Sequence, residues 1–132
     1  DHEARRSQLA LLPYALSQAK RVRAGAAAIA GNHVVLALGP DGPFVLLAHL
    51  RRGSLRVHPG QSVRSGDQLG ECGNSGNSTQ PHVHVQVTDS THWSTATGLP
   101  LAFRQSGESG SDARDRTWIP AESEIVTGRC AT

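Results

Sequence analysis

A mainly β domain is predicted, a small antiparallel sandwich or barrel-like sheet preceded by an irregular or helical segment. Three features point to it. The apolar stretches are short and bounded by glycine and proline, fourteen glycines and seven prolines supply turns, and aromatic residues make up only 4% of the chain. That texture suits a turn-rich sheet better than a helical bundle, whose apolar residues recur at helical spacing over longer runs. At 132 residues the chain fits one domain with a hydrophobic core of its own.

Taken in order, residues 1–30 form a helical or irregular lead-in. Leu9, Leu11, Leu12, Tyr14, Ala15 and Leu16 make an apolar patch interrupted by Pro13, followed by the basic stretch Lys20, Arg21 and Arg23. From Gly31 the pattern changes. Val34–Leu38 and Phe44–Leu50 are apolar runs separated by Gly39, Pro40, Asp41, Gly42 and Pro43, which predicts a hairpin with a tight turn. Val57 and Val63 each precede a glycine turn, which predicts two very short strands.

Gly73–Thr79 is a run of glycine, asparagine, serine and threonine, expected as an exposed loop. Pro81–Val87 is expected as a strand, Thr88–Thr97 as loop, Gly98–Arg104 as a further strand and Gln105–Arg116 as a flexible loop. Trp118–Val126 closes the chain as a last strand or tether. The domain core therefore spans 31–104, with a loop and C-terminal strand or tail over 105–132.

Net charge is only +2 and the basic residues are scattered, so no nucleic-acid face is expected. No apolar run approaches the roughly 18 residues of a membrane span. Cys72 and Cys130 match no zinc or redox spacing, and sequence alone cannot place them within bonding distance.

The chemistry-bearing feature is Pro81-His82-Val83-His84-Val85. Side chains two apart on a strand share a face, so both imidazoles can approach one point, while Val83, Val85 and Val87 are expected to point into the core. Imidazole is a common zinc ligand, but a lone His-x-His also describes two solvated strand histidines.

Context adds more. Gly31-Asn32-His33-Val34-Val35 is followed by Ala48-His49-Leu50, and then by Val57, Pro59, Gly60, Gln61, Val63, Gly66, Asp67, Leu69 and Gly70. After these come Cys72–Thr79, Pro81, His82, Val83 and His84. In order and spacing, residues 31–88 resemble the bacterial lysostaphin/LytM-type zinc endopeptidases. The resemblance implies a duplicated hybrid motif fold, one zinc ion, a peptide or peptidoglycan substrate, and a location in the cell envelope or outside the cell. It also implies roles for particular residues. His84 would be a zinc ligand, and His49 and His82 the catalytic histidines beside it, taking up a proton or holding the developing oxyanion.

One part of the pattern is missing. The family supplies two more zinc ligands from an upstream histidine followed a few residues later by an aspartate. The residues four after each histidine here are Arg6, Ala37, Gly53, Ser62, Gln86, Thr88 and Ala96, none a carboxylate, and His2 beside Asp1 or Glu3 is a poor substitute. Either the chain is part of a longer enzyme whose upstream residues carry those ligands, or it is a degenerate relative. The first reading is preferred, because a degenerate site has no reason to keep all three downstream histidines. On either reading the chain by itself is expected to bind zinc poorly, and on the first it is expected to expose an apolar face and unpaired sheet edges.

His33, His58 and His92 fall outside the motif positions and are read as surface or turn histidines. Asn74 and Asn77 are read as turn residues and Cys72 as filling a small apolar slot. Ser75 and Ser78 lie near the histidines, but no nucleophile elbow accompanies them. Two alternatives to the peptidase remain: a non-catalytic module that binds cell-wall peptide or a partner hydrolase, and a lipoyl-like carrier. The carrier needs a lysine at a hairpin tip, and Lys20, the only lysine, lies outside the β region.

Overall fold

The computed structural model describes residues 20, 22–105 and 116–124. The apolar patch Leu9–Leu16, His2, the 106–115 loop and Cys130 lie outside the described residues. Contacts divide the chain into two compact units, Asp1–Leu99 and Pro100–Thr132.

In the first unit, after helical residues 20, 22 and 23, lies a one-turn helix, α1 (Ala26–Ala30), of four alanines and one isoleucine. Alanine is the best helix former, and glycines with positive φ, Gly25 at 92° and Gly31 at 67°, bound the turn at both ends. β1 (Asn32–Ala37) and β2 (Phe44–Leu50) follow as the expected antiparallel hairpin. The Leu38 amide donates to the Pro43 carbonyl at 2.9 Å across the turn. β3 (His84–Thr88) pairs antiparallel with β2, and the two-residue β4 (Gly98–Leu99) pairs with β3, so the sheet order is β1-β2-β3-β4. Among the described residues no helix is long and apolar enough to cross a membrane.

The fold departs from the sequence pattern in several places. The stretch from Arg51 to Glu71 is irregular at Val57 and Val63, with turns at 52–53, 59–60 and 65–66 and no strand. It is held by isolated backbone bonds, Arg51 N–H to Glu71 O at 2.9 Å and Arg56 N–H to Leu69 O at 3.0 Å. The glycines punctuate it too closely for a ladder to propagate. The expected single strand Gly98–Arg104 is divided: β4 ends at Leu99, and β5 (Phe103–Gln105) belongs to the second unit. There β5 pairs with β6 (Arg116–Trp118), and Phe103 opposes Trp118 with ring centroids 6.4 Å apart.

Among the described residues the buried apolar ones are Ala30, Val34, Ala48, Leu50 and Val87, a small core spread along the sheet from the end of α1 to the Val45–Val87 pair. Val83 and Val85, expected inside, are 38% and 36% exposed. The volume next to α1 is filled instead by the polar loop expected outside: Asn74, Ser75 and Ser78 are buried. Cys72 is exposed rather than filling a slot.

Candidate functional site

The site forms where the ends of β2 and β3 meet the buried loop 73–78. Strict alternation places Ala48 and His84, which oppose each other across the β2–β3 ladder, on one face of the sheet and His49 on the other. A bulge changes this. Between the pairs Val34↔Leu47 and Asn32↔Leu50, β2 carries one more residue than β1. His49 sits in that irregularity with φ 65°, a left-handed conformation unusual for a residue with a Cβ. The bulge re-aims its ring, and the centroids of His49 and His82 are 4.8 Å apart, those of His49 and His84 6.1 Å. The three histidines singled out in the sequence thus form one cluster. His33, His58 and His92 do not join it: His33 stacks edge-on against Trp93 at 5.1 Å, and the other two bond locally to Pro59 O and Ser90 Oγ.

Hydrogen bonds to carbonyls define which ring nitrogens face outward. His49 Nδ1 lies 2.9 Å from the Ser75 carbonyl and His82 Nδ1 2.9 Å from the Gln80 carbonyl. A carbonyl only accepts, so both Nδ1 atoms carry the proton and both Nε2 atoms present a lone pair. The Ser78 hydroxyl donates to the same Gln80 carbonyl at 2.7 Å and accepts from His82 Nδ1 at 3.1 Å, bracing that ring from a fully buried position. His84 is exposed, with Nε2 3.2 Å from Gln86 Oε1 two residues along the same face.

Ser75 is the residue that sequence reasoning missed. Its hydroxyl donates to Leu50 O at 2.7 Å and accepts the Asn32 amide at 3.0 Å, while its carbonyl takes the His49 proton. One buried serine therefore joins β1, the end of β2 and the His49 ring. The available signal is its place in Gly73-Asn74-Ser75-Gly76, where small residues allow three backbones to approach closely. Ser75→Ala leaves the Leu50 carbonyl and Asn32 amide without this partner, and a loss of about 1–3 kcal/mol is expected in urea unfolding. An unchanged midpoint would contradict the bracing role.

Burial pushes the His49 imidazole below its ordinary pKa of 6.5; the Ser75 hydrogen bond opposes this, and charge on His82 and His84 adds to the depression. The consequence for stability has a definite sign. Above pH 6.5 the ring is neutral in both folded and unfolded chains, and no penalty arises. As pH falls below that value the unfolded chain takes up a proton that the folded one resists, so stability falls until the folded ring also titrates. Denaturation midpoints are expected to decrease between pH 7.5 and 5, with a smaller decrease in His49→Gln. Equal decreases in the two proteins would remove His49 as the cause.

The donor set falls short of a catalytic metal site. Among the described residues no group of three or more histidine, cysteine, aspartate or glutamate side chains is arranged to hold a metal ion. The Nδ1–carbonyl bonds of His49 and His82 leave Nε2 free, as in a ligating imidazole, but among the described residues the three histidines are not grouped to share one ion and no carboxylate joins them. Three protein ligands are usual for catalytic zinc, so these residues do not make a complete site.

The family model for peptidase family M23, the lysostaphin/LytM-type peptidases, matches residues 14–96, a span containing β1 to β3 and all three clustered histidines. No solved structure matches the chain.

Proposed function

Because the chain belongs to peptidase family M23, we propose that it carries the histidine-bearing part of a site hydrolysing short peptides, with peptidoglycan cross-links as the substrate class. The observation that supports this most is the β2 bulge, which brings His49 to the face where His82 and His84 already stand. A left-handed histidine costs backbone energy that packing alone does not require, and such strain concentrates at functional sites.

In this reading His49 and His82, each with its proton held on Nδ1, offer Nε2 as acceptor for a proton of the attacking water or as the group that returns one to the leaving amine. His84 is the family's ligand position. The remaining ligands come from residues outside the described ones, and the location that goes with this substrate is the cell envelope or beyond it.

A second reading, a non-catalytic module gripping cell-wall peptide or a partner hydrolase, is favoured by one observation, the incomplete donor set. Peptide hydrolysis distinguishes the two. With zinc added, this chain by itself is expected to show no turnover, whereas a polypeptide that also contains a histidine and aspartate ligand pair is expected to cleave a glycine-rich peptide. Turnover by neither would leave the binding module as the function.

A further inference from the structure

The exposed His82 ring stands on a buried hydroxyl. Ser78 is 1% exposed, and its Oγ donates to the Gln80 carbonyl at 2.7 Å and accepts from His82 Nδ1 at 3.1 Å. Nδ1 lies 2.9 Å from the same carbonyl, so Ser78 Oγ, Gln80 O and His82 Nδ1 close a triangle of hydrogen bonds. Two main-chain bonds fix its footing. The Asn77 amide, next to Ser78, donates to Ile29 O at 2.8 Å, and the His82 amide donates to Gly73 O at 3.1 Å. The hydroxyl is thereby tied to α1, and the histidine to the start of its own loop.

A serine hydroxyl bonded to a carbonyl two residues on closes a turn, and for that alone no histidine is needed. What the turn leaves unexplained is the setting of the ring. An exposed imidazole ordinarily turns over about its Cβ–Cγ bond and carries its proton on either nitrogen. Here both changes are opposed. Turning the ring over sets a carbon against two oxygens. Moving the proton to Nε2 aims the Nδ1 lone pair at the Gln80 carbonyl, and the single hydroxyl proton of Ser78 cannot serve both.

We propose that Ser78 is a positioning residue for the hydrolytic reaction, resting on the peptidase reading above: it holds His82 in the Nδ1–H form with Nε2 directed outward before any substrate arrives. Ser78 acts through His82 alone. His49 reaches the same state by another route, with Nδ1 2.9 Å from the Ser75 carbonyl, so two residues of one loop set the two rings separately.

The test is nitrogen NMR of the histidine rings in the chain as it is, at a pH of about 8.5, where imidazole is ordinarily neutral. The two ring nitrogens of His82 are expected to have well-separated shifts, as one Nδ1–H form gives. In Ser78→Ala they are expected to move toward each other as two tautomers exchange, while those of His49 stay apart. Ser78→Cys, close in volume but a weak donor, is expected to loosen the ring to a lesser degree. A serine that only closes a turn would lower stability and leave the His82 shifts where they were, and that result would overturn the proposal. So would a mainly Nε2–H His82 in the unsubstituted chain, whether or not the variants fold. In a polypeptide with the full ligand set, Ser78→Ala is expected to lower kcat by about tenfold, a part of the roughly 100-fold a positioned acid or base supplies, with KM little changed. An unchanged kcat beside a loosened ring would remove the positioning role. Absence of turnover by the unsubstituted polypeptide counts against the peptidase reading instead, since the ring shifts decide separately whether Ser78 holds His82.

Discussion

Gly76→Ala is expected to unfold most of the first unit at temperatures the parent chain tolerates. Gly76 has φ 64°, and a Cβ there would run into the Ile29 carbonyl and come within 2.6 Å of the Gly31 amide. Gly31 is equally confined, since its own Cβ would stand 2.5 Å from the Gly76 amide. These are backbone atoms, fixed by α1 and by the Asn77 amide donating to Ile29 O at 2.8 Å, so neither side can move aside cheaply. A left-handed alanine costs about 1–2 kcal/mol and overpacking about 1–3 more, a combined loss of roughly 2–5 kcal/mol. Denaturant unfolding measures it. Gly53→Ala is the control: its φ is 75°, but a Cβ meets nothing within 4 Å, so only the smaller conformational cost is expected. Equal losses at the two positions would show that the α1–loop approach is not what holds the site.

The second large effect concerns activity. In a polypeptide that contains the full ligand set, His49→Ala and His82→Ala are each expected to lower kcat by about 100-fold or more, the usual contribution of a positioned acid or base. His49→Ala also removes the proton donated to Ser75 O, so it should lower stability, whereas His82 is exposed and should affect stability less. His92→Ala, outside the cluster and with its ring on Ser90 Oγ, is expected to leave kcat unchanged. A full-rate His82→Ala enzyme would remove the proton-transfer role assigned to that ring.

The hairpin was legible because it rests on turn chemistry at Gly39–Pro43, and His84 because it lies on an expected strand; the strand begins at His84 rather than Pro81, and His82 stands before it at an isolated bridge to Gly73. The approach of His49 was not legible in the same way. Ala48-His49-Leu50 read as a regular strand directs the ring to the wrong face, and the extra residue in β2 that corrects this depends on where β1 pairs, a long-range property. Burial of Asn74, Ser75 and Ser78 escaped for a different reason. Polar side chains read as solvent-facing unless their partners are known, and Ser75's partners lie 25 and 43 residues away. Val57 and Val63 show the reverse error, local turn signals taken for strands that the closely spaced glycines do not allow.

Zinc titration of this chain by calorimetry is the most direct test of the central claim, that His49, His82 and His84 converge without completing a catalytic metal site. Protein sites that bind zinc fully release about 10–16 kcal/mol. A dissociation constant weaker than roughly 1 μM, equivalent to less than about 8 kcal/mol, is the predicted result. One-to-one binding in the nanomolar range, abolished by His84→Ala, would contradict it.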